Sequence, residues 1–293
     1  MRSSQVLRSH EPADVHADLA HYWRDGYAVV RGFFSASEIA EISNALDQLY
    51  AEGVSHGRCF RHGNLFYNVA REDGGKPLVR MVQWPSYHQP VMNGVRLDTR
   101  FVDLLEPLIG CDLKQIINQV HWKVPGSLGD FAWHQDSRFR RPASAYRNLA
   151  TAYVQTGLAI DPHTPDSGCM RFIPRSHLRG DLEMDSAKFC MGTAMTDEAL
   201  HSVGLSDSDA IEVLLEPGDL ALWSPYLVHG SGKNRSDHKR RLYINGYVRA
   251  DDCDRGEWAF RDGEPVPFGP EPALVHYEEL YERPQPHYPD LAT

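Results

Sequence analysis

The chain has 293 residues, with 30 lysines and arginines against 40 aspartates and glutamates, so its formal net charge is −10. A hydrophobic fraction of 42% and a charged fraction of 24% are typical of a globular protein and exclude a disordered or collagen-like chain. The acidic balance, with no long run of lysine and arginine, argues against a nucleic-acid or anionic membrane surface. We therefore expect a small-molecule partner.

The first residues lack the apolar core of a signal peptide, and no stretch approaches the roughly 18–20 apolar residues of a membrane span. A cytoplasmic protein is the resulting prediction. The five cysteines are odd in number, scattered and without a CxxC pair, which predicts buried thiols rather than disulfides or a thiolate zinc site. Fifteen histidines are the one unusual count, and the question is which of them do chemistry.

The N-terminal part carries one strong helix signal. Ser35 to Glu38 has the S-x-x-E form of a capping box, and Ile39, Ile42 and Leu46 follow at three- and four-residue steps. This pattern predicts a helix over about 36–52. The other elements predicted in this part are a helix over 13–24, a short strand within 26–34, a loop over 53–77 and a short helix over 100–109.

After Gly110 the chain changes to short β-branched and aromatic runs separated by turn residues. These runs are Gln115–Val124, Leu149–Ile160, Met170–Ile173, Ile211–Leu215, Leu220–Trp223 and Arg241–Val248. Such close spacing favours a barrel or sandwich over a parallel sheet, so the fold class is α+β with a mainly β core and N-terminal helices packed on it.

We expect one domain over 1–293. Its predicted parts are a helical layer over about 10–110, a β core over 111–250 and a proline-rich extension over 251–293. The extension should run along the surface, apart from a short helix near Ala273–Tyr281.

The sharpest local motif is FAWHQD, which ends in His134, Gln135 and Asp136. Side chains at i and i+2 of a strand point to the same face, so His134 and Asp136 can both reach one metal ion. Such a pair is common by chance and is weak evidence alone.

A downstream segment strengthens this motif. An apolar strand leads to His229, a loop of small residues follows, and Arg240 opens the next strand. Two histidines and one carboxylate form the facial triad of non-haem Fe(II) oxygenases, whereas structural zinc takes four protein ligands. The planar fork of Arg240 suits a dicarboxylic cosubstrate.

These motifs belong to a longer series that spans roughly residues 20–250. The further members are Asp25–Ile39 (DGYAVVRGFFSASEI), Lys123–Gly126 (KVPG), Ser167–His177 (SGCMRFIPRSH), Pro217–Asp219 (PGD) and His229–Asn234 (HGSGKN). In this content and order, the chain resembles the phytanoyl-CoA dioxygenase (PhyH) family of Fe(II)- and 2-oxoglutarate-dependent dioxygenases.

The resemblance implies a double-stranded β-helix fold, a jelly-roll or cupin-like barrel, with iron bound by His134, Asp136 and His229. It also implies that Arg240 and Ser231 bind the distal carboxylate of 2-oxoglutarate. Arg241 faces the other way on its strand, and we expect it to be a surface charge.

The family pattern places three more residues near the cosubstrate, namely Arg80, Gln119 and Thr156. His121 shares a strand face with Gln119 and Lys123, so we expect it to line the barrel, with ligand contact the less favoured interpretation. The remaining histidines are expected at the surface, and His177 in a structural turn. The candidate substrate residues are Gln83, Trp84, Trp133, Arg138 and Tyr226.

The expected reaction uses Fe(II), 2-oxoglutarate and O2, oxidises an unactivated C–H bond of a natural-product or amino-acid-like metabolite, and releases succinate and CO2. Retention of the carboxylate at Asp136 favours hydroxylation, desaturation or ring formation over halogenation. Two other classes stay open from the residues alone: a metal- or ligand-binding barrel without turnover, and a zinc-dependent cupin-like isomerase or hydrolase.

Overall fold

The computed structural model describes residues 16–71, 75–126, 129–184, 190–270, 283 and 285–289. In these ranges the α-helices are α1 (His16–Asp25), α2 (Ala36–His56), α3 (Pro90–Arg96), α4 (Thr99–Ile109), α5 (Leu149–Ala152) and α6 (Asp197–His201). None of the described helices is long and apolar enough to span a lipid bilayer.

The strands form two antiparallel sheets. They are β1 (Tyr27–Val30), β2 (Phe60–His62), β3 (Leu65–Arg71), β4 (Pro77–Gln83), β5 (Leu113–Lys123), β6 (Phe131–His134), β7 (Tyr153–Ala159), β8 (Met170–Phe172), β9 (Ile211–Val213), β10 (Leu220–Trp223), β11 (His229–Ser231), β12 (Arg240–Arg249), β13 (Glu257–Arg261) and β14 (Glu264–Pro265). The large sheet has the order β1-β10-β7-β12-β5-β4-β3-β2, with the β13–β14 hairpin added at β5. The small sheet has the order β6-β11-β8-β9.

Helix α2 confirms the predicted capping box. The hydroxyl of Ser35 accepts from the backbone N–H of Glu38, and the Glu38 carboxylate accepts from the backbone N–H of Ser35. The helix runs one turn beyond the predicted residue 52 and stops at Gly57, whose φ of 69° suits glycine. Its buried face includes Ile39, Ile42 and Leu46, which pack onto the large sheet.

Strand alternation gives the large sheet two different faces. On one face, Val154 and Leu158 of β7 and Tyr243 of β12 join the core beneath the helices. On the other face, Leu242 and Ile244 of β12 pack with residues of the small sheet in a second core. The space between the two sheets is therefore separate from the helical side.

Three sequence predictions need correction. The predicted loop over 53–77 contains β2 and β3, which pair as a hairpin, so the N-terminal part contributes β1 to β4 to the large sheet as well as helices. The strand predicted from Leu149 begins at Tyr153, because Leu149–Ala152 form the short helix α5 after Asn148, which has a φ of 49°. Strand β6 ends at His134, so Asp136 lies in a 3-10 turn instead of on the strand.

The other predicted strands and helices are present with bounds shifted by a few residues. All five cysteines are free thiols, as predicted. The helix predicted near 273–281 lies outside the described residues.

Candidate active site

The two histidines and the aspartate predicted from spacing meet between the sheets. His134 at the end of β6 pairs directly with His229 at the start of β11, and their ring centroids are 4.2 Å apart. Asp136 reaches both: Oδ1 lies 3.8 Å from Nε2 of His134, and Oδ2 lies 3.7 Å from Nε2 of His229. All three side chains are buried, and one ligand atom from each lies within 4.8 Å of the others. This triad forms a metal-binding cluster.

Backbone contacts fix which imidazole nitrogen faces the cluster. Nδ1 of His134 lies 2.7 Å from the carbonyl of Ala132, and Nδ1 of His229 lies 2.9 Å from the carbonyl of Leu227. A carbonyl accepts only, so each Nδ1 carries the proton and each Nε2 presents a lone pair toward Asp136. These contacts set the tautomer that a metal ion requires.

The carboxylate of Asp136 is also oriented. The indole N–H of Trp223 on β10 donates to Oδ2 at 2.9 Å. Burial alone favours the neutral acid, but the neighbouring His229 and His134, the charge of Arg140 and the indole hydrogen bond together hold the pKa of Asp136 below its ordinary value. Burial and the proximity of His229 lower the pKa of His134 to about 3. Two histidines and one carboxylate are a donor set that fits Fe(II).

Arg240 is the second main element of the site. It opens β12 on the face that includes Leu242 and Ile244, and only 2% of it is exposed. Its Nε and Nη2 have no hydrogen-bond partner among the described residues. Burial lowers its pKa to about 10, so the guanidinium remains charged at neutral pH. A buried cation with unused donors requires an anion, which fits the carboxylate of a dicarboxylic cosubstrate.

Ser231 lies two residues after His229 on β11 and is buried at the same end of the site. Its hydroxyl accepts a hydrogen bond of 2.7 Å from the ammonium of Lys123, the last residue of β5. Lys123 pairs directly with Arg240 across the two strands. Lys123 was not among the site residues predicted from the sequence, although the two-residue step from Gln119 through His121 carried the signal.

Gln119 and His121 lie on the same face of β5 as Lys123, as predicted. Gln119 is half-buried and pairs with Gln83 of β4. His121 is 6% exposed, its Nε2 has no partner among the described residues, and its ring centroid lies 5.0 Å from that of Phe131. Burial and the charges of Arg240 and Lys123 lower the pKa of His121 to about 3, so it lines the site as a neutral imidazole.

Three arginines lie near the site. The register between β3 and β4 shifts at Arg80, from the pair Asn68–Met81 to the pair Val69–Val79, and such a bulge redirects a side chain. Its Nη1 lies 3.6 Å from the position of a Cβ on Gly192. Nη1 of Arg138 lies 3.7 Å from the sulfur of Cys190. These contacts place both arginines beside the segment that begins at residue 190.

Arg140 is a third cation that the sequence prediction missed. It is 2% exposed, its guanidinium lies 5.3 Å from the ring centroid of Tyr153, and its charge acts on the carboxylate of Asp136. Its position five residues after the motif Trp-His-Gln was the available signal, since the turn Asp136–Phe139 directs the chain back toward the site.

The structure does not bring Thr156 to this cluster. Thr156 shares a face of β7 with Val154 and Leu158, which belong to the core under the helices. Its hydroxyl donates to the carbonyl of Asn245 at 3.2 Å. Strand alternation explains the difference, because the residues of β7 that face the small sheet are its neighbours Gln155 and Gly157.

Trp133 points away from the metal cluster. It precedes His134 on β6 and therefore lies on the opposite face, where it packs with Ile173, Leu200 and Val228. The guanidinium of Arg171 lies 5.5 Å from its ring centroid. The predicted substrate role followed from proximity in sequence, which strand alternation overrides.

The two other aromatic candidates are also placed by packing. Trp84 is buried at the end of β4 with Tyr87 and Phe268, whose ring centroids lie 5.6 and 6.3 Å away. Tyr226 lies in the turn before β11, and burial followed by the charge of Asp181 raises its pKa. Neither residue has a described contact with the triad.

Arg241, expected at the surface, is buried with 2% exposure. It faces away from Arg240, as predicted, and points toward α2. There its guanidinium forms a salt bridge of 2.7 Å with Asp161, which follows β7. His177 contacts the backbone carbonyl of Trp23 at 3.2 Å, in agreement with a structural role.

Comparison with known proteins gives relatives of one kind. The chain is 28% identical over 240 residues to a probable alpha-ketoglutarate-dependent hypophosphite dioxygenase of Stutzerimonas stutzeri, which covers 78% of this chain and 77% of the relative. It is 23% identical to the 2-aminoethylphosphonate dioxygenase of the uncultured bacterium HF130_AEPn_1, over 82% of this chain and 84% of the relative.

Among solved structures, EctD from S. alaskensis with 2-oxoglutarate and 5-hydroxyectoine shares the fold, with a TM-score of 0.61 and 20% identity over 93% of this chain and 90% of that chain. The family model of phytanoyl-CoA dioxygenase (PhyH) matches residues 22–242, which include the triad and Arg240. The chain therefore belongs to the phytanoyl-CoA dioxygenase family of Fe(II)- and 2-oxoglutarate-dependent dioxygenases.

Proposed function

We propose that this protein hydroxylates an unactivated C–H bond of a small metabolite that bears an anionic group, with Fe(II), 2-oxoglutarate and O2. The observation that carries the proposal is the pairing of a two-histidine, one-carboxylate triad with a buried arginine whose guanidinium lacks partners among the described residues. When bound, the iron and cosubstrate supply the oxidation itself, with release of succinate and CO2.

The protein's own residues bind the metal, orient the cosubstrate and exclude water. His134, Asp136 and His229 hold the metal, and backbone carbonyls keep both imidazoles in the ligand tautomer. Arg240 and Ser231 bind the distal carboxylate of 2-oxoglutarate at the buried end of the site. Gln119 and Arg80 are proposed as further contacts on the cosubstrate side, whereas the hydroxyl of Thr156 is already used by Asn245.

The two sheets support a specific architecture. Residues of both sheets, including Phe172 of the small sheet and Leu242 of the large one, share the core between them. We propose that they form the double-stranded β-helix of this family, in one domain over 1–293, with the metal cluster between the sheets at the pairing of β6 and β11.

The substrate class follows from the charges near the triad. Arg138 and Arg140 follow Asp136 within four residues, and their charges act on His134 and on Asp136 respectively. Two related dioxygenases are named for hypophosphite and 2-aminoethylphosphonate, which are both small anions. We propose that Arg138 orients a phosphonate or carboxylate group of the substrate, together with Gln83 at the end of β4.

The test is formation of succinate from 2-oxoglutarate by Fe(II)-loaded protein, with a panel of phosphonates, carboxylates and amino-acid derivatives. We expect turnover that needs O2 and that disappears in His134→Ala but persists in His201→Ala, which changes an exposed histidine. A product that gains one oxygen atom supports hydroxylation, and loss of two hydrogens contradicts it in favour of desaturation or ring closure.

Metal-dependent activity under argon would overturn the proposal in favour of a hydrolase or isomerase. If the protein binds 2-oxoglutarate but forms no succinate from it in the presence of any compound of the panel, the result contradicts the proposal in favour of a non-catalytic barrel.

A further inference from the structure

Lys123 is a buried lysine without a carboxylate partner. It has 0% exposure, and none of the described carboxylates lies within salt-bridge distance of its ammonium. Its hydrogen bonds go to Ser231 Oγ at 2.7 Å, to the carbonyl of Gly232 and, at 3.5 Å, to the carbonyl of Gly168. A buried ammonium normally requires a counter-charge, and here the partners are neutral oxygens.

A second buried cation lies directly opposite. Lys123 pairs with Arg240 across β5 and β12, and the charge of Arg240 disfavours the charged form of Lys123, since like charges on paired positions repel. Burial and the charge of Arg240 move the pKa of Lys123 well below its ordinary value. Two facing basic side chains, neither within salt-bridge distance of a described carboxylate, indicate a site whose counter-charge comes from a ligand.

The hydrogen bond to Ser231 has a direction. In its protonated form Lys123 has three donors and no lone pair, so the oxygen of Ser231 then accepts from it. The hydroxyl proton of Ser231 is then not donated to Lys123 and is available to another acceptor. Ser231 is 5% exposed, so bulk water has little access to this proton and a ligand inside the site can accept it.

We infer that Lys123 is a positioning residue for the cosubstrate: it orients the Ser231 hydroxyl as a donor to the distal carboxylate of 2-oxoglutarate and adds a second positive charge beside Arg240. The inference rests on the proposed function, because it assumes that the dicarboxylate binds at Arg240. It assigns to Lys123 no contact with the reacting atoms.

A purely structural role is the competing explanation. By bonding to the carbonyls of Gly168 and Gly232, Lys123 also ties two loops together. Loss of these loop contacts alone would lower the affinity for every ligand of the site to the same extent. Loss of an oriented donor and a charge at the distal carboxylate would lower the affinity only for ligands that carry this carboxylate.

The experiment compares 2-oxoglutarate with 2-oxopentanoate, which has the same carbon chain without the distal carboxylate. Calorimetric titrations use the full chain loaded with Fe(II) under anaerobic conditions. In Lys123→Met we expect the affinity for 2-oxoglutarate to fall about 10- to 100-fold, the range of a charge-assisted hydrogen bond, and that for 2-oxopentanoate to change by less than about twofold.

A double-mutant cycle separates orientation from charge. If Lys123 acts through Ser231, part of the effect of Lys123→Met disappears in a Ser231→Ala background. Lys114→Met is the matched control, because Lys114 lies on the same strand and donates to the carbonyl of Cys253 at 2.6 Å, and both affinities should stay at the wild-type values. Should Lys123→Met not fold, Lys123→Gln retains amide donors without the charge and gives the same comparison.

Equal weakening of both ligands, or full additivity with Ser231→Ala, would overturn the inference and leave a structural lysine. Wild-type protein that binds neither ligand would instead contradict the proposed function itself, so the two failures are distinguishable.

Discussion

The two faces of the large sheet satisfy their buried charges in opposite ways, and consecutive arginines on β12 show the contrast. Arg241 faces α2, where its guanidinium donates to the Asp161 carboxylate at 2.7 and 2.8 Å and to the Ser43 hydroxyl at 2.8 Å. Arg240 faces the small sheet, and its Nε and Nη2 have no partner among the described residues. Both are 2% exposed.

Equal burial therefore does not mean equal function. On the helical face, buried polar side chains hydrogen-bond to one another, as Asn118 does to the Tyr243 hydroxyl and to Asn245. On the face toward the triad, His121, Lys123 and Arg240 are buried, and none of them lies within salt-bridge distance of a described carboxylate. The polar groups of the helical face stabilise the fold, whereas those of the face toward the triad are available to a ligand. Each prediction below tests one of the two faces.

The largest expected effect is on the ligand-binding face. Asp136→Ala removes the only carboxylate of the described metal cluster, so we expect turnover to fall by more than about 100-fold, since even partners outside the ligand shell contribute about 10- to 100-fold. Iron content after loading, measured with succinate formation, checks this. Asp254→Ala removes an exposed carboxylate and serves as the control; iron retention in Asp136→Ala equal to wild type would contradict the assignment.

On the helical face, Arg241→Leu removes the guanidinium from Asp161, whose side chain is 14% exposed, and leaves the backbone N–H of position 241 as a donor to it. We expect the free energy of unfolding to fall by about 1.5–3 kcal/mol, the contribution of hydrogen bonds to a charged group. Urea unfolding monitored by circular dichroism measures this change. The folded fraction should bind 2-oxoglutarate normally, and a weakened affinity with unchanged stability would reverse the proposed roles of the two faces.

A smaller effect is expected from Trp223→Phe, which removes the indole donor to Asp136. We expect iron affinity to fall by about 10- to 100-fold with the fold retained, because outer-shell hydrogen bonds orient metal ligands. Competition with a chelator of known affinity provides the measurement. Unchanged affinity would show that Asp136 needs no support from β10.

The smallest effect separates the two faces of β7. Thr156→Val removes the hydroxyl bonded to Asn245, so we expect a loss of about 1 kcal/mol in the free energy of unfolding and no change in the affinity for 2-oxoglutarate. Thermal unfolding and calorimetry together test both parts. A selective loss of 2-oxoglutarate affinity would restore Thr156 to the site and contradict its placement under the helices.

Local patterns predicted those features of the molecule that depend on spacing. The capping box at Ser35, the triad and Arg240 all follow from short sequence distances, because caps, strand alternation and metal coordination restrict which residues meet. The opposite orientations of Arg240 and Arg241 follow from the same alternation.

Features that depend on tertiary pairing were not predicted. The hairpin of β2 and β3 replaced an expected loop, since its glycine- and histidine-rich sequence becomes a strand only by pairing with β4. The burial of Arg241 depends on Asp161, 80 residues away in the chain. The bulge at Arg80 and the hydrogen bond from Lys123 to Ser231 likewise depend on register between distant strands.

The central claim is that Arg240, unlike Arg241, is reserved for a dicarboxylate. Calorimetric titration of 2-oxoglutarate into Fe(II)-loaded, anaerobic Arg240→Gln tests it most directly, with urea unfolding of the same sample. We predict that affinity falls at least about 100-fold, as for a lost bidentate charge pair, while the free energy of unfolding stays at or above the wild-type value because an uncompensated charge has been removed. Wild-type affinity in Arg240→Gln, or a loss of stability similar to that of Arg241→Leu, would contradict it.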